Sequence, residues 1–524
     1  MSFDYFIKGG TVIDGSISDP AEANIGIKGD RIAYVGSEVF NADKVIDARG
    51  LFVSPGFIDT HGHSEFTLLA DGRAETKLLQ GVTTEINGNC GLSAAPLSGE
   101  ALEAREDDLG EYGIRERWHT FSEYFHLLEE RRTGLNFATL CGHGNLRGSV
   151  VGYRDREATE DEIIRMEVLL RRSLEEGEKG LSTGLIYPPG MYAGSGELGR
   201  LASLLREDGH DGVYATHMRS EGDDLMGSVR EALKIGMEGA VKVHISHLKT
   251  AGERNWGKIE GLIGLIGESL SAGVPLTCDR YPYVASGTGL DSLLPGWAHD
   301  GGAEETLRKL REGGAAERIR GFLKSYDDNY WRGIVIASLG REENRWMEGK
   351  SVSLISGMKG AAPVDLVMGL LIEERLRVGA VFFSMSEENL RKILCLPNVM
   401  IGSDSSTRSF SGITRQGKPH PRGAGSFPRF LGRYVRDDAL LPLSEAIRRL
   451  TGLPAGTFGL YLRGLIREGY FADVAVFDYN VISDHASYQD PFSSPEGVVY
   501  LFVNGIPAVY ESELTGSLPG RILH

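Results

Sequence analysis

The chain has 524 residues, and its 73 acidic and 56 basic side chains give a formal net charge of −17 at pH 7. This length exceeds one ordinary core but fits a large barrel with a small second domain. The acidic excess argues against nucleic acid or an anionic membrane as a partner, whereas a small anionic ligand can still bind where a site is locally positive.

The cysteines and the apolar runs indicate the compartment. Cys90, Cys141, Cys278 and Cys395 lie far apart and form no C-x-x-C pair, so no disulfide framework is predicted. No apolar run has the length of a membrane span, and the first residues lack the basic and apolar regions of a signal peptide. We therefore expect a cytoplasmic protein, and the sequence leaves its oligomeric state open.

Both ends of the chain have the pattern of short strands separated by Gly, Asp or Asn turns. We therefore expect residues 1–54 and 463–524 to form one small β-domain from the two termini. The apolar runs that carry this prediction are residues 3–8, 10–13, 24–28, 31–35, 44–47, 465–478 and 498–510.

Between these ends, short apolar runs alternate with charged, helix-like stretches such as 161–178 and 386–394. Eight such units favour an α/β fold, a (β/α)₈ TIM barrel over residues 55–462. Residues 290–345 are too long for a barrel connection, so we expect an insertion there, with a lid as one interpretation. The eight predicted strands are residues 56–63, 83–90, 137–144, 180–187, 212–218, 241–248, 275–283 and 399–404.

Residue types that bind metals stand at the ends of these strands, where a TIM barrel carries its chemistry. The first strand ends in H-G-H, and two histidines at positions i and i+2 point to the same side of a sheet. Imidazole, thiol and carboxylate ligands together suit zinc. The candidate ligands are His61, His63, Cys90, His217, His247 and Asp404.

Each candidate also has a purely structural explanation. Cys90 could be a small buried apolar side chain, His217 a hydrogen-bonded core histidine, and Asp404 the cap of a helix. His244 competes with His247; three residues apart in a strand, the two point to opposite faces, and His247 is nearer the strand end. Each explanation is plausible alone, but all of them together are not.

The sequence resembles the amidohydrolase superfamily, and within it the N-acyl-D-amino-acid deacylases. The resemblance implies zinc-dependent hydrolysis of the amide bond of a small-molecule N-acyl-D-amino acid, giving a carboxylate and a free D-amino acid. The matching stretches, spread over nearly the whole chain, are GFIDTHGHSE, GVTTEINGNCG, GHGNLR, GLSTGLIYPPGMYA, THMRSEGD, ISHLK, DRYPYVAS and HPR.

The resemblance also implies individual roles. One tightly held zinc is expected on Cys90, His217 and His247, and a second, weaker metal position on His61, His63 and Asp404. Asp404 is in addition the expected proton-transfer residue, since a carboxylate beside the attacking water can take its proton and deliver it to the leaving amine. The positions that match binders of the substrate's free carboxylate are Lys249, Tyr281 and Arg422.

Two features separate the alternatives. Cyclic-amide hydrolases of the superfamily bridge their metals with a carbamylated lysine on strand four, but residues 181–187 contain none, so the Cys90 thiolate is expected to replace it. Ser405 stands where the family has Gly, and the loop from Asp404 to Arg422 is longer than the family's. The enzymatic alternative is a hydrolase of a cyclic amide or a dipeptide; a non-catalytic scaffold would require missing ligands.

Overall fold

A computed structural model describes residues 2–524, apart from the side chain of Asp208. Its first five strands belong to one sheet, in which β1 pairs with β2 antiparallel and with β4 and β5 parallel. The predicted runs 3–8 and 10–13 are a single strand whose register shifts between Ile7 and Gly10. The strands are β1 (Ser2–Val12), β2 (Ala21–Lys28), β3 (Arg31–Gly36), β4 (Asn41–Asp47) and β5 (Phe52–Pro55).

The next eight strands are parallel to their neighbours. They correspond to the first seven predicted barrel strands, because β8 and β9 are two parts of one strand separated by a single residue. These strands are β6 (Phe57–Asp59), β7 (Val82–Asn87), β8 (Asn136–Thr139), β9 (Cys141–Gly142), β10 (Gly180–Gly184), β11 (Val213–His217), β12 (Lys242–Ile245) and β13 (Leu276–Arg280).

Helices alternate with these strands, as the sequence pattern predicted. They are α1 (Glu65–Ala70), α2 (Glu75–Leu78), α3 (Gly99–Glu103), α4 (Glu106–Glu111), α5 (Phe121–Arg131), α6 (His143–Val150), α7 (Glu160–Glu175), α8 (Ser195–Ser203), α9 (Leu225–Gly239) and α10 (Ile259–Ser271). Shorter 3-10 turns cover Gly190–Tyr192, Leu204–Gly209 and Glu253–Lys258.

Helix α7 illustrates why these segments are helical. Thr159 and Glu162 form a reciprocal capping box at its start. The helix ends before the predicted boundary at residue 178, because Gly177 has a left-handed φ of +112° that does not continue a helix.

The segment predicted as an insertion, residues 290–345, lies within a region that has a sheet of its own. The three antiparallel strands of this sheet are β14 (Ala285–Gly289), β15 (Ile334–Leu339) and β16 (Val378–Phe383). Both β14 and β15 pair with β16, so the first and last strands of the segment are joined. A hydrophobic core of its own, which includes Leu290, Ile319, Ile336 and Leu371, supports it. Its helices are α11 (Gly302–Arg311), α12 (Gly313–Leu323), α13 (Asp328–Arg332), α14 (Val352–Lys359) and α15 (Pro363–Glu373), with 3-10 turns at Leu290–Leu293, Gly296–His299 and Glu342–Met347.

The chain then returns to the barrel. After α16 (Glu387–Leu394), the strand β17 (Val399–Ile401) pairs with β13 in parallel. A parallel bridge between Gly62 and Ser405, and the hydrogen bond from Asp404 N to His61 O, join β17 to the end of β6. The ring of eight parallel strands is thereby closed, and apolar side chains such as Ile58, Ile86 and Met400 pack together in one core cluster.

The last segments complete the terminal sheet. Helices α17 (Arg422–Arg429), α18 (Leu443–Leu450) and α19 (Gly452–Thr457), with a π-helical turn at Phe430–Asp437, precede β18 (Val474–Phe477), β19 (Val498–Val503), β20 (Ile506–Tyr510) and β21 (Glu513–Leu514). Strand β18 pairs antiparallel with β5, so both termini share one sheet. The domain limits at residues 54 and 463 stay a prediction.

Within residues 2–524, no single helix is both long and apolar enough to cross a membrane. Helices α14 and α15 pass that test only when taken together across a bend of 96°.

Candidate metal centre

The six candidate ligands meet at the carboxyl end of the barrel. The residue between His61 and His63 has to be a glycine, because a Cβ at Gly62 would lie only 2.4 Å from Glu85 Cγ. Three of the ligands, Cys90, His247 and Asp404, have positive φ angles of 55°, 36° and 50°. Such backbone strain in residues other than glycine clusters at functional sites, where the surrounding fold holds the side chain in place.

Three of these ligands, which we call the closed group, are almost completely buried: Cys90, His217 and His247. The Cys90 Sγ lies 3.6 Å from His217 Nδ1 and 3.6 Å from His247 Nε2. Burial opposes ionisation of the thiol, yet His61, His217 and His247 together hold the pKa of Cys90 well below its usual value. The two histidines of the closed group therefore favour the thiolate form of Cys90.

The other three ligands, the open group, are His61, His63 and Asp404. Asp404 Oδ1 lies 3.6 Å from His61 Nε2 and 3.3 Å from His63 Nε2. His61 is buried, but the side chains of His63 and Asp404 are 25% and 13% exposed. Burial favours the neutral imidazole of His63, but its contact with Asp404 raises its pKa to about 9.

The two groups adjoin and fit zinc. His61 Nε2 lies 3.3 Å from Cys90 Sγ, and His61, Cys90, His247 and Asp404 each offer a ligand atom within 4.8 Å of the others. Tetrahedral ligands at about 2.0–2.3 Å from zinc are separated by about 3.3–3.8 Å. The observed separations have this size, and thiolate, imidazole and carboxylate are zinc's preferred donors.

Asp279 supports the metal centre from below and was not predicted as a functional residue. Its Oδ2 lies 2.9 Å from His61 Nδ1 and 2.8 Å from His244 Nε2, and its Oδ1 accepts from His247 N at 2.7 Å. A carboxylate on the far nitrogen of a histidine fixes the tautomer and orients the other nitrogen toward a metal. Its position two residues before Tyr281 puts it on the same face of β13 and could have revealed it.

A buried lysine, Lys77, holds the backbone of the open group and was also missed. Its Nζ lies 2.5 Å from Asp59 Oδ2 and 2.6 Å from Ser403 Oγ, and it pairs with Glu85 at 2.9 Å. Asp59 Oδ1 in turn accepts from His61 N at 3.1 Å and Ser403 N at 2.8 Å. No spacing in the sequence links Lys77, on a four-residue helix, to these strands.

The three residues predicted to bind a carboxylate lie beside the metal ligands. Both cations lie beside the ring of Tyr281: the Arg422 guanidinium is 4.5 Å and the Lys249 ammonium 5.9 Å from the ring centroid. Burial raises the pKa of Tyr281, but Lys249, Arg280 and Arg422 more than offset this and lower it. Its buried hydroxyl has no hydrogen-bond partner among the described residues.

Both cations of this trio already contact a carboxylate. Arg422 Nη1 lies 2.8 Å from Asp404 Oδ2, and its Nη2 donates to Gly287 O at 3.1 Å. Despite burial, the charge of Arg422 helps to hold the pKa of Asp404 well below its usual range. Lys249 pairs with Glu221. The long loop after Asp404 therefore still brings Arg422 to the metal centre.

A cavity of about 1500 Å³ opens onto both groups and onto the trio. Among the residues around it are Cys90, His217, His247, Lys249, Tyr281, Asp404 and Arg422. Strand four contributes no lysine: β10 ends at Gly184, where a Cβ would lie 2.0 Å from Cys90 O. The backbone of strand four thus packs directly on the cysteine that was expected to replace that lysine.

Comparison with known proteins identifies the family. The model of the amidohydrolase family matches residues 44–508. The chain is 35% identical over 522 residues to the D-aminoacylase of Alcaligenes xylosoxydans xylosoxydans, and the match covers 99% of this chain and 97% of that protein. The chain therefore belongs to the amidohydrolase family.

Two solved structures share the whole fold. One is N-acyl-D-glutamate deacylase from Bordetella bronchiseptica with zinc and a phosphonate mimic of the tetrahedral intermediate; it has a TM-score of 0.85 and 31% identity over 100% of both chains. The other is a D-aminoacylase with a binuclear metal centre, characterised by one-metal activation and second-metal attenuation, with a TM-score of 0.83 and 35% identity over 100% of both chains. The predicted barrel with a separate β-domain is confirmed.

Proposed function

We propose that this chain is a zinc-dependent deacylase that hydrolyses N-acyl-D-amino acids to a carboxylate and a free D-amino acid. The observation that carries the proposal is that the cysteine–histidine metal centre and the buried trio of Lys249, Tyr281 and Arg422 line the same cavity. The D-aminoacylase and N-acyl-D-glutamate deacylase relatives act on substrates with such a carboxylate, and they support the D configuration.

The residues divide the work according to their surroundings. The closed group holds the tight zinc, and the open group forms the second, weaker metal position, in keeping with the binuclear centre of the related D-aminoacylase. Zinc supplies Lewis-acid chemistry, making water more acidic and an amide carbonyl more electrophilic.

Asp404 moves the proton. Its Oδ1 faces both histidines of the open group, and its side chain lines the cavity, so the carboxylate lies where it can reach a bound water. After taking the proton of the attacking water, it delivers that proton to the amide nitrogen, because an amine leaves poorly unless it is protonated.

The trio orients the substrate. Arg422 offers a planar guanidinium and Lys249 a point charge beside the ring of Tyr281, whose hydroxyl has no hydrogen-bond partner among the described residues. The two positive charges offset the repulsion between the substrate's free α-carboxylate and the acidic protein. A cyclic amide that carries no free carboxylate, such as a hydantoin, makes no use of these groups.

A screen of N-acetyl-D- and N-acetyl-L-amino acids, with zinc analysis of the same preparation, tests the proposal. We expect release of acetate from D substrates and about one tightly held zinc per chain. N-acetyl-D-amino acid amides, which lack the free carboxylate, are the matched control and should react at least about 10-fold less efficiently. Hydrolysis of hydantoins or dipeptides without any activity on N-acyl-D-amino acids would contradict it.

A further inference from the structure

The carboxylate of Glu221 lies among three of the predicted functional residues. Its Oε1 is 2.7 Å from His247 Nδ1 and also contacts Lys249 Nζ, and its Oε2 is 3.7 Å from His217 Nε2. The residue follows His217 by four positions, in the loop after β11. Its backbone carbonyl accepts from Ala251 N at 2.8 Å, so the loop is also tied to the segment that carries Lys249.

The contacts of Glu221 involve the ring nitrogens that face away from Cys90. His217 turns Nδ1 and His247 turns Nε2 toward the thiol, at 3.6 Å each. The opposite nitrogens, His217 Nε2 and His247 Nδ1, both face Glu221. At hydrogen-bond distance from His247, the carboxylate keeps the proton on the outer nitrogen of that ring and leaves the inner nitrogen free to bind a metal, whereas its 3.7 Å contact with His217 is electrostatic.

Lys249 shares the same acceptor oxygen with His247. Its Nζ lies 2.8 Å from His247 Nδ1, and since both are donors when His247 binds a metal through Nε2, the negative charge of Glu221 has to hold them together. The Lys249 side chain is almost completely buried, and Glu221 is its carboxylate partner in the described structure.

We infer that Glu221 is a positioning residue that joins the closed group to the substrate-binding Lys249. This inference rests on the proposed function and adds a residue to it. One carboxylate orients His247 by hydrogen-bond distance, acts on His217 through its charge, and fixes the ammonium that receives the substrate's carboxylate. Loss of its charge therefore weakens zinc binding and substrate binding together, whereas loss of Lys249 weakens substrate binding alone.

Glu197 provides a matched control in the same chain. It too is a buried glutamate between a histidine and a cation, with His143 Nε2 at 2.8 Å and Arg147 as the second partner. None of these three residues lines the cavity at the metal centre. Glu197→Gln reports what the loss of a buried carboxylate does to this protein when no metal ligand is involved.

The first measurement is zinc affinity by competition with a chelator, which uses no substrate. Glu221→Gln should bind zinc about 10- to 100-fold more weakly than the wild type, the usual result of removing such a partner. Lys249→Met and Glu197→Gln should keep the affinity of the wild type. Glu221→Asp, which retains the charge at a shorter reach, should lie between wild type and Glu221→Gln, and it provides the test if Glu221→Gln fails to fold.

The second measurement is KM and kcat for an N-acyl-D-amino acid at saturating zinc. Glu221→Gln should raise KM as Lys249→Met does, while Glu197→Gln leaves KM unchanged. The inference would be overturned if folded Glu221→Gln had the zinc affinity and the KM of the wild type. If Glu221→Gln does not fold, the same result in Glu221→Asp would overturn it. A wild-type protein that binds zinc, loses affinity on Glu221→Gln but hydrolyses no N-acyl-D-amino acid would refute the proposed function and retain the role of Glu221 at the metal.

Discussion

The closed and the open group lie at one barrel mouth but are held in different ways. In the closed group all three side chains are buried, and the outer nitrogens of both histidines face the carboxylate of Glu221. In the open group, His61 has a buried carboxylate partner, Asp279, while Asp404 is in contact with Arg422, which is predicted to bind substrate. Under the proposed function, a metal in the closed group would meet His247 already oriented by Glu221, whereas a metal in the open group would compete with an ion pair for Asp404.

Under the proposed function, this difference lets one site bind metal and also move a proton. A general acid–base group has to change its protonation state during the reaction, so it cannot be fixed as firmly as a structural ligand. Asp404 is partly exposed to the cavity, and it is the ligand on which the expected mechanism depends. The predictions below test this separation of tasks, beginning with the largest effect.

Cys90→Ala should remove the tight zinc and most of the activity, because the thiolate is the anionic ligand of the closed group. Metal analysis of the purified variant checks this. Cys141→Ala is the matched control: Cys141 is an equally buried cysteine of the neighbouring strand, and its thiol donates to Ser173 Oγ rather than facing the histidines. Full zinc occupancy in Cys90→Ala would show that the closed group is assigned wrongly.

Asp404→Asn should keep the tight zinc and the fold but lower kcat by at least about 100-fold, the size typical of a lost acid–base group. Asp484→Asn is its control, since Asp484 also pairs with an arginine, Arg429 at 3.1 Å, but does not line the cavity. Turnover measured together with zinc content separates the two roles of Asp404. A variant that retains zinc and stays within a few-fold of wild-type turnover would contradict proton transfer by this residue.

Arg422→Met should lower kcat/KM for N-acyl-D-amino acids by at least about 10-fold and reduce the preference for the acid over its amide. We expect the same direction for Lys249→Met. Arg429→Met is a close control, because Arg429 lies 4.7 Å from the ring of Tyr283 and pairs with Asp484, as Arg422 does with Tyr281 and Asp404. An unchanged preference in both Arg422→Met and Lys249→Met would mean that the carboxylate binds elsewhere.

The sequence predicted the barrel well, because each of its strands is an apolar run that ends in polar or glycine-rich residues. All eight expected runs overlap a strand of the ring, and the six candidate metal ligands and the carboxylate trio lie together. Strand ends are informative because parallel strands of a barrel bring their carboxyl ends to one face.

The supporting residues that the sequence did not reveal contact residues on other strands and helices. Asp279, on β13, reaches His61 across the intervening strand β17. Lys77, on a short helix, joins Asp59, Glu85 and Ser403 from three different strand ends, so its role depends on the three-dimensional fold. The extent of the sheet around this segment was not visible in the sequence, because β14 and β16 are far apart in the chain and pair only in three dimensions. Glu221 is the exception, since its spacing of four from His217 was visible in THMRSEGD.

His63→Gln should have the smallest effect and separates the two groups most directly. His63 is the most exposed of the six ligands, and its Nε2 contacts Asp404 rather than either histidine of the closed group. With excess zinc, we expect the bound metal to fall from about two ions per chain to about one, while the tight ion keeps its affinity. Turnover with one zinc should fall less than in Asp404→Asn, because His63 transfers no proton. If His63→Gln also releases the tight zinc, the two groups form a single cooperative centre, and the contrast between them does not hold.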